Sequence, residues 1–157
     1  MATSAATCIW LTGRAGAGKT TIAHAVVGEL HRRGRAAVVI DEVEARIHLS
    51  ATDRGASVRW LAGLLLSSGI VVVIAVDAPQ RAGRDRAREE VPGFVEVFVD
   101  GGDGPDAYEE PFAPELRVPT HDRDVAASVA QLLSWLEDAG VAPPADPGSP
   151  ESGGTSR

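Results

Sequence analysis

Short apolar runs alternate along this chain with stretches whose apolar residues recur every three or four positions, the pattern of βαβ units around a parallel sheet. Cys8 to Leu11 predicts a first strand, ending at Thr12-Gly13. From Lys19 to Arg33, Ile22, Val26, Val27 and Leu30 share one face of an amphipathic helix that Gly34 stops. Ala36 to Ile40 reads as a buried second strand closed by Asp41. A second helix is expected from about Thr52 to Ser68, with Val58, Leu61, Leu65 and Leu66 on one face and Gly69 as its stop. Ile70 to Val76 is the most apolar run, β-branched almost throughout, and is expected to be a central strand. After Asp77 and Pro79 comes a charged helix to about Glu90. Phe94 to Val99 and Glu115 to Val118 predict a fourth and a fifth strand. Asp122 to Ala139 closes the order as a helix with Val125, Val129, Leu132, Leu133 and Leu136 in one stripe.

Two segments fall outside this order. Gly101 to Pro114 carries Gly, Asp and Pro in a polar run and is expected to be a loop between strands. Gly140 to Arg157 is rich in Pro, Gly and Ser, which predicts a disordered tail behind a folded unit of residues 1–139. No internal repeat is visible. At 157 residues the chain has room for a single domain, and 44% hydrophobic residues supply a core for it.

Charge narrows the function classes. A formal net charge of -7 gives no general attraction to nucleic acid or to an anionic membrane, so any anion must be held locally. No apolar run approaches a membrane span of about 20 residues, and no signal peptide is expected. Cys8, the only cysteine, excludes an intramolecular disulfide and fits a reducing compartment. The expectation is a cytoplasmic protein.

Of the 15 basic residues, Lys19 is the one lysine. It stands in Gly13-Arg14-Ala15-Gly16-Ala17-Gly18-Lys19-Thr20, which matches G-x-x-x-x-G-K-[ST] between a predicted strand and a predicted helix. In that pattern the glycines let backbone N–H groups converge on a phosphate, and the helix adds its positive N-terminal end. The lysine spans the β- and γ-phosphates, while the Thr20 hydroxyl coordinates Mg²⁺. Gly13 to Thr21 is thus the expected ATP site, and the fold class is α/β of the P-loop NTPase type, a five-stranded mostly parallel sheet flanked by helices. A compact ammonium fits inside the loop where a planar guanidinium does not.

Phosphoryl transfer needs a metal-orienting acid and often a base beside the accepting hydroxyl. Ligands in open α/β sheets bind at the carboxyl ends of the strands, which points to Asp41 and Asp77. Asp41 has a helix cap or a turn as its other reading. Asp77 follows Val71 to Val76 as a Walker B acid does, and equally as a helix-start cap. Glu42 and Glu44 read as solvated acids. Arg81, Arg84 and Arg88 share a helical face that either clamps an anion or, with Asp85, Glu89 and Glu90 interleaved, is a solvated salt-bridged face. Arg46 and Arg59, soon after the second strand, are expected on the substrate side.

The stretch Cys8 to Arg46, CIWLTGRAGAGKTTIAHAVVGELHRRGRAAVVIDEVEAR, resembles the adenylylsulfate kinase family, whose pattern is near W-L-T-G-x-x-G-A-G-K-[ST]-T followed by a strand ending D-G-D-N-x-R. The likeness continues through Asp53-Arg54 and Arg59, through Ala78-Pro79-Gln80-Arg81, through Phe94 to Asp100 and through Tyr108 to Thr120. The resemblance implies transfer of the γ-phosphate of MgATP to the ribose 3'-hydroxyl of adenylylsulfate, with Asp41 matching the family's first acid and Arg46, Arg59 and Arg81 its substrate-side arginines. Beside the loop's own Lys19 and Thr20, Asp41 is expected to orient the metal or activate the accepting hydroxyl, and Asp77 to take over the catalytic duty that Val43 cannot perform. It also implies pairing of subunits, so a homodimer is an expectation.

The departures bear on the acceptor. Val43 stands where the family has its second Asp, Glu44 where it has Asn, Ser57 where a substrate-binding Asn is expected, and Gln80 in place of an aromatic. The family's basic lid, which carries an aromatic that stacks on the substrate adenine, is reduced to Gly101 to Ala107. The Gly-Phe before the Asp-Arg pair is replaced by Leu49-Ser50-Ala51-Thr52. Stacking is worth about 1 to 3 kcal/mol per base, so losing both platforms weakens adenylylsulfate binding. The expected function is a small-molecule kinase that transfers phosphate to a hydroxyl, a sugar hydroxyl of a nucleoside-like or specialised metabolite. A true adenylylsulfate kinase with a shortened lid and a non-catalytic nucleotide-binding protein are the alternatives.

Overall fold

The computed structural model describes residues 6–104 and 107–144. In chain order its elements are β1 (Cys8–Thr12), α1 (Lys19–Arg32), β2 (Ala37–Asp41), α2 (Glu42–His48), α3 (Arg54–Ser67), β3 (Val71–Ala75), α4 (Arg81–Glu90), β4 (Phe94–Asp100), β5 (Leu116–Pro119) and α5 (Val125–Asp138). The strands form one sheet in the order β2-β3-β1-β4-β5, and each neighbouring pair is parallel. The middle strand is β1. The apolar β3 lies beside it, paired on both edges, which is why it reads as a continuous apolar run.

The two-residue period of the strands divides the core. Ile9, Leu11, Val71, Val73, Val97 and Val99 face one side and pack with Ile22, Val26 and Leu30 of α1 and Leu132 and Leu136 of α5. Cys8, Trp10, Val72 and Ile74 face the other side and meet Val58, Ala62 and Leu66 of α3. The stripe expected on α3 thus centres on Val58, Ala62 and Leu66, with Leu61 and Leu65 at its flank. Burial pushes the Cys8 thiol up to about 12.

Helix α4 is made differently. Its ten residues, RAGRDRAREE, contain no large apolar side chain, and the residues it buries are Arg84 and Ala87. Arg84 is 1% exposed. Its Nε donates to Glu96 Oε2 at 3.0 Å, and its guanidinium also donates to the carbonyls of Ala78 and Glu109, each at 2.5 Å. The guanidinium lies over the Tyr108 ring, 5.2 Å from its centroid. Arg88 pairs with Glu115, and Arg81 rests on the Phe112 ring at 4.0 Å while donating to the Glu110 carbonyl. Arg84 is therefore buried rather than solvated, while Arg81 and Arg88 stay partly exposed in ion pairs; together they fasten α4 to β4 and to the segment that leads into β5.

Two features lie outside the sequence-based outline. Helix α2 begins directly at Asp41, whose carboxylate accepts from Glu44 N–H at 2.9 Å as the N-cap. The fold also runs past residue 139: Val141 and Ala142 are buried in the core, their N–H groups donate to the Leu136 carbonyl, and Arg33 donates to the Pro143 carbonyl. The rest of the expected tail, residues 145–157, lies outside the described residues. Among the described residues, no helix is long and apolar enough to cross a membrane.

Candidate active site

The loop from Gly13 to Gly18 joins the middle strand to α1, so the carboxyl end of the sheet and the N-terminus of that helix meet there. Gly18 caps α1 with φ +97°, a left-handed conformation that costs a residue with a Cβ dearly. The turn leaves Lys19 as the first helical residue, buried beneath the loop. Its Nζ donates to the Gly13 carbonyl at 2.7 Å and the Arg14 carbonyl at 3.2 Å. Burial lowers its pKa, and Asp77, whose Oδ1 is 3.7 Å away, opposes that shift. A buried ammonium resting on carbonyls is set to take an anion, and the exposed Thr20 and Thr21 follow on the first turn of α1.

Among the described residues, three cavities border the loop. One of about 300 Å³ is lined by the loop itself from Ala15 to Thr21, by Ala75 and by the carboxylates Glu42 and Asp77. A second, of about 200 Å³, is lined by Gly13, Arg14, Asp77, Pro79 and Tyr108 among others. A third, of about 210 Å³, lies at the opposite flank between Gly16 to Gly18 and the turn carrying Thr120, His121 and Arg123. A larger groove of about 570 Å³ runs along β2 between α1 and the α2–α3 pair, yet it touches no residue of the phosphate loop. Proximity to Lys19, not size, therefore marks the site.

The acids at the strand ends are not equivalent. Asp41 is buried; besides capping α2 it meets His24 Nε2 at 3.1 Å. The Glu44 N–H first, and then His24, hold its carboxyl below the ordinary value. It lines none of the three cavities. Glu42, read from the sequence as a solvated acid, lines the phosphate cavity instead. Its Oε2 accepts from Asp77 N–H at 2.8 Å, and its Oε1 accepts from Arg46 Nε at 2.5 Å. Asp77 borders both the phosphate cavity and the second cavity. The signal that could have separated the two acids is Asp41-x-x-Glu44, the spacing of an N-cap followed by a glutamate at the third helical position.

The three expected substrate arginines are engaged at different places. Arg46 holds Glu42 and reaches Asp77 Oδ2 at 4.0 Å. Arg59 pairs with Glu90 at 2.6 Å, and Arg81 belongs to the Phe112 contact. The second cavity is walled by Tyr108, which sequence reasoning passed over as part of a loop. Its hydroxyl is 2.7 Å from Thr12 Oγ1, its ring stacks on Phe98, and burial raises its pKa.

The shortened loop leaves little space above the phosphate loop. Gly102 has φ +80°, and a Cβ there would stand 2.5 Å from the Ala15 carbonyl oxygen. A Cβ on Gly104 would stand 2.7 Å from Ala15 N. Gly102 and Gly104 therefore lie against the backbone of the loop, as glycine alone permits.

Known proteins are similar to this chain. The family model for adenylylsulphate kinase matches residues 5–104. An adenylyl-sulfate kinase of Rippkaea orientalis is 33% identical, over 84% of this chain and 92% of its own. One from Geotalea daltonii is 32% identical, over 85% and 83%. Among solved structures, the Mycobacterium tuberculosis APS kinase in complex with AMPPNP and APS is 25% identical with a TM-score of 0.70, covering 84% of this chain and 98% of that one. With the family model matched over residues 5–104 and relatives 32–33% identical over most of their own length, this chain belongs to the adenylylsulfate kinase family.

Proposed function

We propose that this protein uses MgATP to phosphorylate a hydroxyl group held in the cavity beside Asp77 and Tyr108, a sugar hydroxyl of a nucleoside-like or other specialised metabolite rather than adenylylsulfate. At the coarser level, the chain is a P-loop ATP-dependent phosphotransferase related to adenylylsulfate kinase, and ATP with Mg²⁺ is the donor of its family. The observation that carries the finer reading is the close approach of Gly102 and Gly104 to Ala15 on the phosphate loop, in a segment, residues 101–107, whose sequence holds no aromatic to stack on a base.

The residues present suit the donor. The phosphate loop offers backbone N–H groups at a helix N-terminus, which attract phosphate. Lys19 exchanges the Gly13 and Arg14 carbonyls for phosphate oxygens, which compensate a buried cation more fully than those carbonyls and the half-exposed Asp77 do. Magnesium, when bound, would neutralise negative charge on the phosphate oxygens; the Thr20 hydroxyl and a carboxylate of the cavity would hold it, oxygen donors of the kind it takes. Asp77, at the junction of the two cavities, is placed to receive the proton of an accepting hydroxyl. The cavity beside Thr120, on the far flank of the loop, suits the base of ATP, so donor base and acceptor lie at opposite ends of the triphosphate.

A second reading, a true adenylylsulfate kinase, is favoured by the 32–33% identity to adenylyl-sulfate kinases over most of the chain. Transfer of labelled γ-phosphate from ATP to a panel of nucleosides, nucleotides, sugars and adenylylsulfate separates the two. The expected result is a phosphorylated acceptor other than adenylylsulfate. ATP consumption that never rises above background hydrolysis with any acceptor contradicts the proposal and favours a nucleotide-binding role. A homodimer is proposed from the family alone, and light scattering of the purified chain tests it.

A further inference from the structure

Three carboxylates stand at the ends of β2 and β3, and the structure gives each a different surrounding. We propose that Glu42 is the acid that holds the metal side of the phosphate cavity, leaving Asp77 to face the acceptor and Asp41 to shape the backbone. This division rests on the kinase reading and goes beyond it by assigning the metal-side acid to a residue that the family resemblance does not mark.

Asp41 is excluded by its bonds. Its Oδ1 accepts the Glu44 N–H and its Oδ2 meets His24, so turning it toward the phosphates would uncap α2. It lines none of the cavities around the loop. Val43, the next candidate by position, is 62% exposed and carries no oxygen. Glu42 lies between them and lines the cavity that contains Lys19 and Thr20, but not the cavity of Tyr108.

Glu42 is also held in place. The Asp77 N–H anchors Oε2 at the end of β3, and Arg46 anchors Oε1. A carboxylate held on two sides keeps a defined position at the cavity wall, and Mg²⁺ keeps several waters and takes one or two carboxylates plus substrate phosphates. Arg46 lies within reach of Asp77 as well, so one guanidinium restrains both acids and lowers the repulsion between them. Asp77 borders both cavities, which suits an acid that meets the acceptor rather than the metal alone.

The test measures binding of AMPPNP by calorimetry with and without Mg²⁺, for the unmodified protein and for Glu42→Gln, Asp77→Asn and Asp41→Asn. The glutamine keeps an acceptor for the Asp77 N–H and the asparagine at position 41 keeps a cap, so both variants retain the fold; thermal melts verify this. Glu42→Gln is expected to lose about 10- to 100-fold of the Mg²⁺-dependent gain in affinity, while its metal-free affinity stays the same. Asp41→Asn and Asp77→Asn are expected to keep the gain. Glu42→Asp, which restores charge at a shorter reach, is expected to recover part of it. A Glu42→Gln protein with the full Mg²⁺ dependence, or an Asp41→Asn protein without it, overturns the assignment and leaves the kinase reading standing. Failure of the unmodified protein to bind AMPPNP under either condition overturns both.

Discussion

The two ends of the phosphate cavity are built by different means. The donor end is local: six residues between β1 and α1, a positive-φ glycine and one lysine make it, and every contact of Lys19 Nζ with the loop spans five or six positions. The acceptor end is assembled across the chain. Thr12 meets Tyr108, Arg84 gathers Ala78, Glu96 and Glu109, and Gly102 lies on Ala15. A donor site made from one short segment survives changes elsewhere. The proposed acceptor site, made from residues 6 to 96 positions apart, is remade whenever one connecting segment changes length.

Breaking the acceptor end at its centre should give the largest effect. Arg84→Ala leaves the buried Glu96 carboxylate without its main partner and should cost about 3–5 kcal/mol of stability, measured by urea unfolding. Lys19→Arg should break the donor end instead. The fold should be kept while transfer falls by about 10²-fold or more, as when one preorganised contact to the transferring group is lost; single-turnover kinetics beside a thermal melt separates the two.

Smaller changes sharpen the contrast. Asp41→Ala should cost about 1 kcal/mol by uncapping α2. Its carboxyl titrates below its ordinary value of about 3.9, so its contribution is complete above that pH and is lost as pH falls through the lower, folded value. The gap between this variant and the unmodified protein should therefore close in acid, read from melts across pH 2 to 7. Tyr108→Phe, which removes the hydroxyl from Thr12, should cost about 0.5–1.5 kcal/mol and should alter acceptor affinity more than AMPPNP affinity.

The same contrast explains what could be read from the sequence. The strands, four of the five helices and the phosphate loop announce themselves through periods of two and 3.6 and through a motif whose residues do their work side by side. Helix α2 escaped because its apolar residues Val43 and Ile47 face outward, so no buried stripe marks it. Asp41 was the natural choice for a metal acid by position, and its cap bond with Glu44 N–H turns its carboxylate elsewhere. The roles of Arg84 and Tyr108 depend on partners far along the chain, which no local pattern encodes. Val141 and Ala142, two small apolar residues in a run of Pro and Gly, gave too weak a signal to extend the core past Gly140.

The claim that the donor end is kept and the acceptor end rebuilt is tested most directly by titrating one sample first with MgAMPPNP and then with adenylylsulfate. The expected result is saturable binding of the nucleotide and no measurable heat from adenylylsulfate at concentrations that saturate the donor site. Tight, stoichiometric binding of adenylylsulfate to the nucleotide-loaded protein would contradict it.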